Sequence, residues 1–127
     1  MSRARRSGGL CQRGAVTAEL ALALPTLLAV TAGLTWFLAV AVGQVRTVDA
    51  ARETARALAR GDDEAAAVAL GQRVAPEGVR LSVVRADGRV VVTARGRMAG
   101  PGGLLDALPG AELEAEAVAI AEEGSSP

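Results

Sequence analysis

The chain has 127 residues, which allows one small domain in addition to a long apolar segment. It has no histidine and one cysteine, Cys11, so no disulfide can form within the chain. Net charge is zero, but residues 1–14 hold four arginines and no acid, which leaves ten arginines against fourteen acidic residues in the remainder. This mildly acidic balance gives no reason to expect nucleic-acid binding.

The first predicted elements are a basic leader and an apolar helix. Residues 1–14 form the leader and end in Gly14, and Glu19 then precedes 24 residues without charge, from Leu20 to Gly43. As a helix this run is about 36 Å long, enough to cross a bilayer core of about 30 Å. The sequence therefore predicts a transmembrane helix at about 20–43. Glu19 has two interpretations: it meets a specific partner, or it lies among the lipid headgroups.

The leader joins the apolar run in the sequence GAVTAELALALP, from Gly14 to Pro25. This sequence resembles the cleavage region of class III signal peptides and, more specifically, the TadE-like family. Those proteins are minor pilins or pseudopilins of tight-adherence (Flp-type) type IV pilus systems. The resemblance implies that a prepilin peptidase cuts between Gly14 and Ala15 on the cytoplasmic face. It also implies that Glu19 meets the free amine of a neighbouring subunit.

The same resemblance implies location and partners. The chain would cross the cytoplasmic membrane once, with its N-terminus inside and its C-terminal domain outside. Its partners would be the prepilin peptidase, other pilin or pseudopilin subunits, pilus-assembly membrane proteins and the lipid bilayer.

Two other readings of the apolar run stay open. In the first, the chain is a secreted small binding domain with an ordinary signal peptide, cut after Ala39-Val40-Ala41. The apolar run is much longer than the usual 7–15 residues or so of such a peptide. In the second, it is an uncut single-pass anchor for such a domain.

The long helix is expected over residues 15–60. Pro25 removes a backbone donor and predicts a helix kink. The threonines of the apolar half bond either to their own helix backbone or to a packed neighbour, and the first is favoured. The second half is amphipathic, and its predicted buried stripe is Val45, Val48, Ala51, Ala55 and Leu58.

Residues 61–127 form the predicted exported domain. Gly61 ends the long helix, and Asp62 caps a second helix over about Asp63–Val74. Residues 79–98 are predicted to form a hairpin around a two-residue turn at Asp87-Gly88.

A last strand is predicted over Glu112 to Ala121, where glutamates alternate with apolar residues. The alternation shifts at Val118 and Ile120, which suggests a bulge, and the alanine content leaves a helix open. The predicted fold class is α+β: a long membrane-spanning helix continuing onto a small domain of one helix and a three-stranded antiparallel sheet.

The sequence predicts no enzyme, no cofactor and no metal site. Without histidine there is no imidazole base, and Cys11 lies in the leader. Asp62-Asp63-Glu64 suggests weak cation binding or a helix N-terminus, and the second interpretation is favoured.

Overall fold

The computed structural model describes residues 9–103 and 107–121, so residues 1–8 of the predicted leader and the C-terminal residues 122–127 lie outside the described part. Its elements are α1 (Gly9–Ala59), α2 (Glu64–Val74), β1 (Val79–Ala86), β2 (Arg89–Met98) and β3 (Ala111–Ile120). This is the predicted α+β fold. The chain divides into two compact units, one ending at Thr35 and the other beginning at Trp36.

The first unit is a single stretch of α1 whose large apolar side chains are exposed. A helix that is apolar on every face belongs in a protein interior or in lipid. Within the described residues, α1 is the helix that is long and apolar enough to cross a membrane. This fits a single-pass membrane protein.

The end of α1 and the start of α2 are fixed by the short connection between them. Gly61 has a φ of 89°, its N–H donates to the carbonyl of Leu58 over 3.1 Å, and the N–H of Asp62 donates to that of Ala57 over 3.2 Å. These bonds satisfy the last carbonyls of α1 and confirm Gly61 as its stop.

The cap of α2 is Asp63, so the prediction of Asp62 was wrong by one residue. The Oδ2 atom of Asp63 accepts from the N–H groups of Ala65 and Ala66, over 3.1 and 3.4 Å. Asp62 instead forms an ion pair with Arg60, at 3.2 Å. The main-chain turn at Gly61 decides which of the two carboxylates reaches the free N–H groups.

β1 and β2 form the predicted hairpin. Asp87 and Gly88 both have positive φ, at 52° and 69°, which is the backbone of a two-residue turn that follows the strand twist. The sheet order is β1-β2-β3 and both pairings are antiparallel.

β3 is a strand, which settles the choice between strand and helix, and it has no bulge. Its one-to-one register with β2 runs without interruption from Met98↔Ala111 to Arg89↔Ile120. The inward positions after Leu113 are alanines, and Val118 and Ile120 stay on the outer face with the glutamates. The predicted shift was wrong because it assumed that the larger apolar residues must face the core.

The predicted buried stripe on α1 is only partly right. Val45 is 60% exposed, and the buried residues are mostly small ones: Thr47, Ala50, Ala51, Thr54, Ala55, Ala57 and Leu58. Both buried hydroxyls are satisfied by their own helix, since Thr47 donates to Gly43 and Thr54 to Ala50 over 2.8 and 2.9 Å. Small side chains let α1 come close to the sheet. The face of α1 that carries them is therefore the one that packs with the core residues Val90, Val92, Ala94 and Leu113.

Candidate processing and assembly site

The sequence-predicted site residues Gly14, Ala15, Glu19 and Pro25 all lie on α1 in the first unit. Helical backbone continues on both sides of the predicted cut between Gly14 and Ala15. A β-carbon placed on Gly14 would meet no atom within 4 Å. Glycine inside a helix costs about 1 kcal/mol relative to alanine. No packing among the described residues requires a glycine at position 14. The fold therefore does not explain why this residue is glycine.

Glu19 lies at the margin of an apolar surface groove on α1. The other residues along this groove are Val16, Leu20, Leu22, Ala23, Leu24, Thr26, Leu27 and Val30. Ala15 is four residues before Glu19 and therefore lies on the same side of the helix. The described residues give Glu19 no ion pair, and its surroundings in the groove supply no cation.

Pro25 lies within α1, and the helix continues through it. Because proline has no N–H, the carbonyl of Ala21 loses the donor that an ordinary helix would supply. The hydroxyl of the next residue, Thr26, donates to the carbonyl of Leu22 over 2.8 Å. That bond goes to Leu22 and not to Ala21, and the kink at Pro25 stays a prediction.

The threonine hydroxyls of the apolar half bond to their own helix. Thr26, Thr31 and Thr35 donate to the carbonyls of Leu22, Leu27 and Thr31, over 2.8 to 2.9 Å. This confirms the favoured interpretation. Because the hydroxyl of Thr26 bonds to the helix backbone, Glu19 is the residue of the groove that still offers a polar group to a partner.

A second set of polar contacts was missed by sequence reasoning and lies at the edges of the sheet. The amide Nε2 of Gln44, on α1, donates to the carbonyl of Glu114 in β3 over 2.7 Å. The amide Nε2 of Gln72, on α2, donates to the carbonyl of Val79 in β1, also over 2.7 Å. Each edge strand thus has one main-chain acceptor covered by a glutamine. No local sequence pattern predicts that a glutamine donates to the main chain of an edge strand.

Charged residues outside α1 pair across the outer face of the sheet. Arg95 holds Glu114 at 2.6 Å, and Arg97 lies 3.6 Å from Glu112. Asp62, Asp63 and Glu64 are engaged in an ion pair, a helix cap and an ion pair to Arg85, which supports the helix N-terminus interpretation. In residues 9–103 and 107–121, no three His, Cys, Asp or Glu side chains assemble into a possible metal site.

Comparison with known proteins identifies a family and a relative of this chain. The family model described as TadE-like protein matches residues 14–56, which begins at Gly14 and follows α1 almost to its end. The chain is 39% identical over 115 residues to "Apoptosis inhibitor Rv3655c" of Mycobacterium tuberculosis (strain ATCC 25618 / H37Rv). That match covers 85% of this chain and 80% of the relative. No solved structure matches the chain.

Proposed function

The chain belongs to the TadE-like family, whose members are associated with tight-adherence pili, and on that premise we propose that it is a minor pilin or pseudopilin. Its role would be structural and non-enzymatic, within a tight-adherence (Flp-type) pilus or secretion apparatus. The observation that carries the proposal is the family match, which starts at Gly14 and contains both Glu19 and the apolar part of α1.

In this proposal the chain is made as a precursor in the cytoplasmic membrane. A prepilin peptidase hydrolyses the peptide bond between Gly14 and Ala15 on the cytoplasmic side, and residues 1–14 leave. The product begins with the α-amine of Ala15, and the domain after Gly61 lies outside the membrane. The open space around Gly14 supports this scheme, because a peptidase needs close access to the backbone there.

The proposed role of Glu19 follows from the charge that cleavage creates. The new α-amine of Ala15 is positive at neutral pH, and in an apolar environment it needs an opposite charge. Glu19 of a neighbouring subunit supplies that charge in the proposal. Its position on the groove of α1 and its lack of an ion pair within the described residues support this pairing.

Native N-terminal analysis or intact mass tests the proposal. We expect the mature protein to start at Ala15. A start at Val42 would replace the proposal with the secretory alternative, and an intact N-terminus would replace it with an uncut anchor.

A second candidate function follows from the mycobacterial relative, which is named as an apoptosis inhibitor. If this chain shares that activity, its domain would act on another protein as a secreted or membrane-anchored binding module. A secretory cut after Ala41 would leave Gly43 and the buried face of α1 with the sheet, but it would remove Val40, which packs against the core. A start at Val42 in the native protein would favour this function.

A further inference from the structure

The connection between β2 and β3 lies at the end of the sheet from which α1 enters the second unit. Gly43 of α1 is buried there, and a β-carbon on it would come within 2.7 Å of the Met98 side chain. Thr54, eleven residues later on α1, and Leu81 of β1 both lie against the one glycine of α2. Leu81 pairs with Ala94, four residues before Met98 on β2. Followed toward its N-terminus, α1 therefore approaches the β2–β3 connection.

The two legs of this connection, residues 99–110, stay close to each other. A β-carbon on Gly110 would come within 2.6 Å of the carbonyl oxygen of Met98, and one on Gly100 within 2.5 Å of that of Leu108. The connection therefore continues the β2–β3 hairpin as a narrow pair of chain segments past the last paired residues of the sheet.

The described part of the connection, residues 99–103 and 107–110, has no polar side chain. Its exposed residues are Ala99, Pro101, Gly102, Gly103, Ala107 and Pro109. Connections that run through water commonly carry Asn, Asp or Ser. The turn at the opposite end of β2 follows that pattern, since Arg85, Asp87 and Arg89 are all exposed there. The two connections of β2 therefore differ in charge.

The start of domain packing limits how far lipid can surround α1. Val40 packs against the core, and Gly43 and Thr47 are buried. Just before them, Phe37 and Leu38 are 70% and 64% exposed. Hydrocarbon cannot hold a loop whose backbone polar groups are open to lipid. The hydrocarbon must therefore end before the level of the β2–β3 connection, although the uncharged run continues to Gly43.

We propose that the β2–β3 connection rests among the lipid headgroups of the bilayer that α1 spans, with Trp36 at the hydrocarbon boundary. The span then runs from about Ala15 to Trp36, which is 22 residues. As a helix these residues are about 33 Å long, compared with a hydrocarbon core of about 30 Å. Tryptophan is enriched at this boundary because its ring is apolar and its N–H is polar. A connection without charged groups among its described residues meets the interface without burying a charge.

The proposed span lies seven residues closer to the N-terminus than the uncharged run alone predicts. Val42 and Val45, which are 52% and 60% exposed, then lie beyond the hydrocarbon. Glu19 lies about 6 Å inside the opposite boundary, where a carboxylate has a greater need for a counter-charge. The inference rests on the membrane-spanning helix of the proposed function, but not on cleavage at Gly14 or on assembly into a pilus.

The depth of Trp36 tests the boundary. Trp36 is the single tryptophan and the chain has no tyrosine, so its emission can be followed without a label. The full chain is placed in phosphatidylcholine vesicles with bromine either near the headgroup end or near the terminal end of the acyl chains. Trp36 lies about 16 Å from the bilayer centre for a span of residues 15–36, and about 7 Å for 20–43. We expect stronger quenching by the shallow bromines, and stronger quenching by the deep ones would overturn the boundary.

A matched pair of labels tests the contact of the connection with lipid. In a Cys11→Ser background, Ala107→Cys and Ala86→Cys each carry an environment-sensitive fluorophore, in nanodiscs that hold one chain. Both alanines are exposed, and they lie at opposite ends of β2, which spans about 30 Å. We expect a lipid with a nitroxide on its headgroup to lower the emission at position 107 by at least about twofold and to leave position 86 unchanged.

Two checks separate this inference from the proposed function. Vesicle flotation shows that the chain is inserted, and far-ultraviolet circular dichroism shows that each variant is folded. Equal quenching at the two labels, or none at position 107 of a folded and inserted chain, overturns the lipid contact and leaves the pilin proposal standing. A chain that does not float with the vesicles overturns the membrane span itself, and with it both proposals.

Discussion

Gly71 of α2 lies directly against the hydroxyl of Thr54 of α1. Both residues are buried. A β-carbon on Gly71 would overlap the Thr54 oxygen, and it would also come within 2.8 Å of the carbonyl oxygen of Ala50 and of a methyl group of Leu81. The contact between the two helices is therefore closed to anything larger than a hydrogen atom at this position.

We expect Gly71→Ala to destabilise the domain. Two of the three atoms it would meet, the buried hydroxyl of Thr54 and the carbonyl oxygen of Ala50, both belong to α1, so they cannot make room without a shift of that helix. Overpacking of this kind costs about 1–3 kcal/mol, despite the helix propensity gained by replacing glycine. Thermal or denaturant unfolding of the chain in detergent, followed by circular dichroism, measures the change.

Gly33→Ala is the matched control for that measurement. Gly33 also lies in a helix, but a β-carbon there would meet nothing within 4 Å. We expect it to leave domain stability unchanged. A domain that tolerates Gly71→Ala equally well would show that α1 and α2 are not in close contact in solution.

The second prediction concerns how much of α1 the domain needs. We expect residues 61–127 alone to be poorly folded and residues 44–127 to be folded, because α1 supplies the buried face that includes Thr47, Ala51 and Leu58. Without that face, Val92 and Leu113, which are now buried, would be open to water. Circular dichroism and thermal unfolding of the two fragments decide the matter, and identical unfolding curves would contradict it.

Local signals in the sequence were enough to predict most of the elements. Gly61 and the Asp87-Gly88 pair mark positions where the backbone needs a positive φ, and the structure has both features there. The alternation of glutamate with apolar residues favoured a strand for β3, because its period of two does not fit a helix, but the alanine content left a helix open.

The faces of those elements were harder to predict, for a physical reason. Val45 and Val118 are large and apolar, yet both are exposed, while small residues such as Ala50 and Thr54 are fully buried. Which residues become buried depends on how closely the helix approaches the sheet. That distance is set by tertiary packing, which the sequence pattern does not show. The glutamine contacts of Gln44 and Gln72 reach 70 and 7 residues along the chain, and sequence periodicity carries no information about such pairs.

The third prediction concerns the processing step. Gly14→Val should stop cleavage and leave the precursor folded, because a β-carbon at Gly14 meets no atom of the described residues within 4 Å. The reason for the loss is access: a branched side chain beside the bond would keep a peptidase from the backbone. Intact mass of the membrane-extracted protein distinguishes precursor from product. Gly33→Ala is the control. Normal cleavage of the Gly14→Val variant would show that the peptidase does not need glycine at this position.

The last prediction concerns the charge of Glu19. Glu19→Gln keeps the shape of the side chain and its place on the groove of α1, but it removes the negative charge. If Glu19 neutralises the α-amine of Ala15 from a neighbouring subunit, the variant leaves a buried amine without a counter-charge, at a cost of about 3–5 kcal/mol. We expect the variant to be cut after Gly14 and inserted in the membrane at normal levels, and to lose co-purification with other pilus-system subunits by at least tenfold.

Two controls separate this role from a general effect on the helix. Thr26→Val lies on the same groove and changes a polar group that bonds only to its own helix, so we expect assembly to be unaffected. Glu19→Asp keeps the charge on a shorter side chain and should retain part of the assembly that Glu19→Gln loses. If Glu19→Gln co-purifies as well as the wild-type chain, the carboxylate has no paired cation in the assembly. Glu19 would then mark only the membrane edge, where a lone carboxylate remains solvated by the headgroups and its removal costs little.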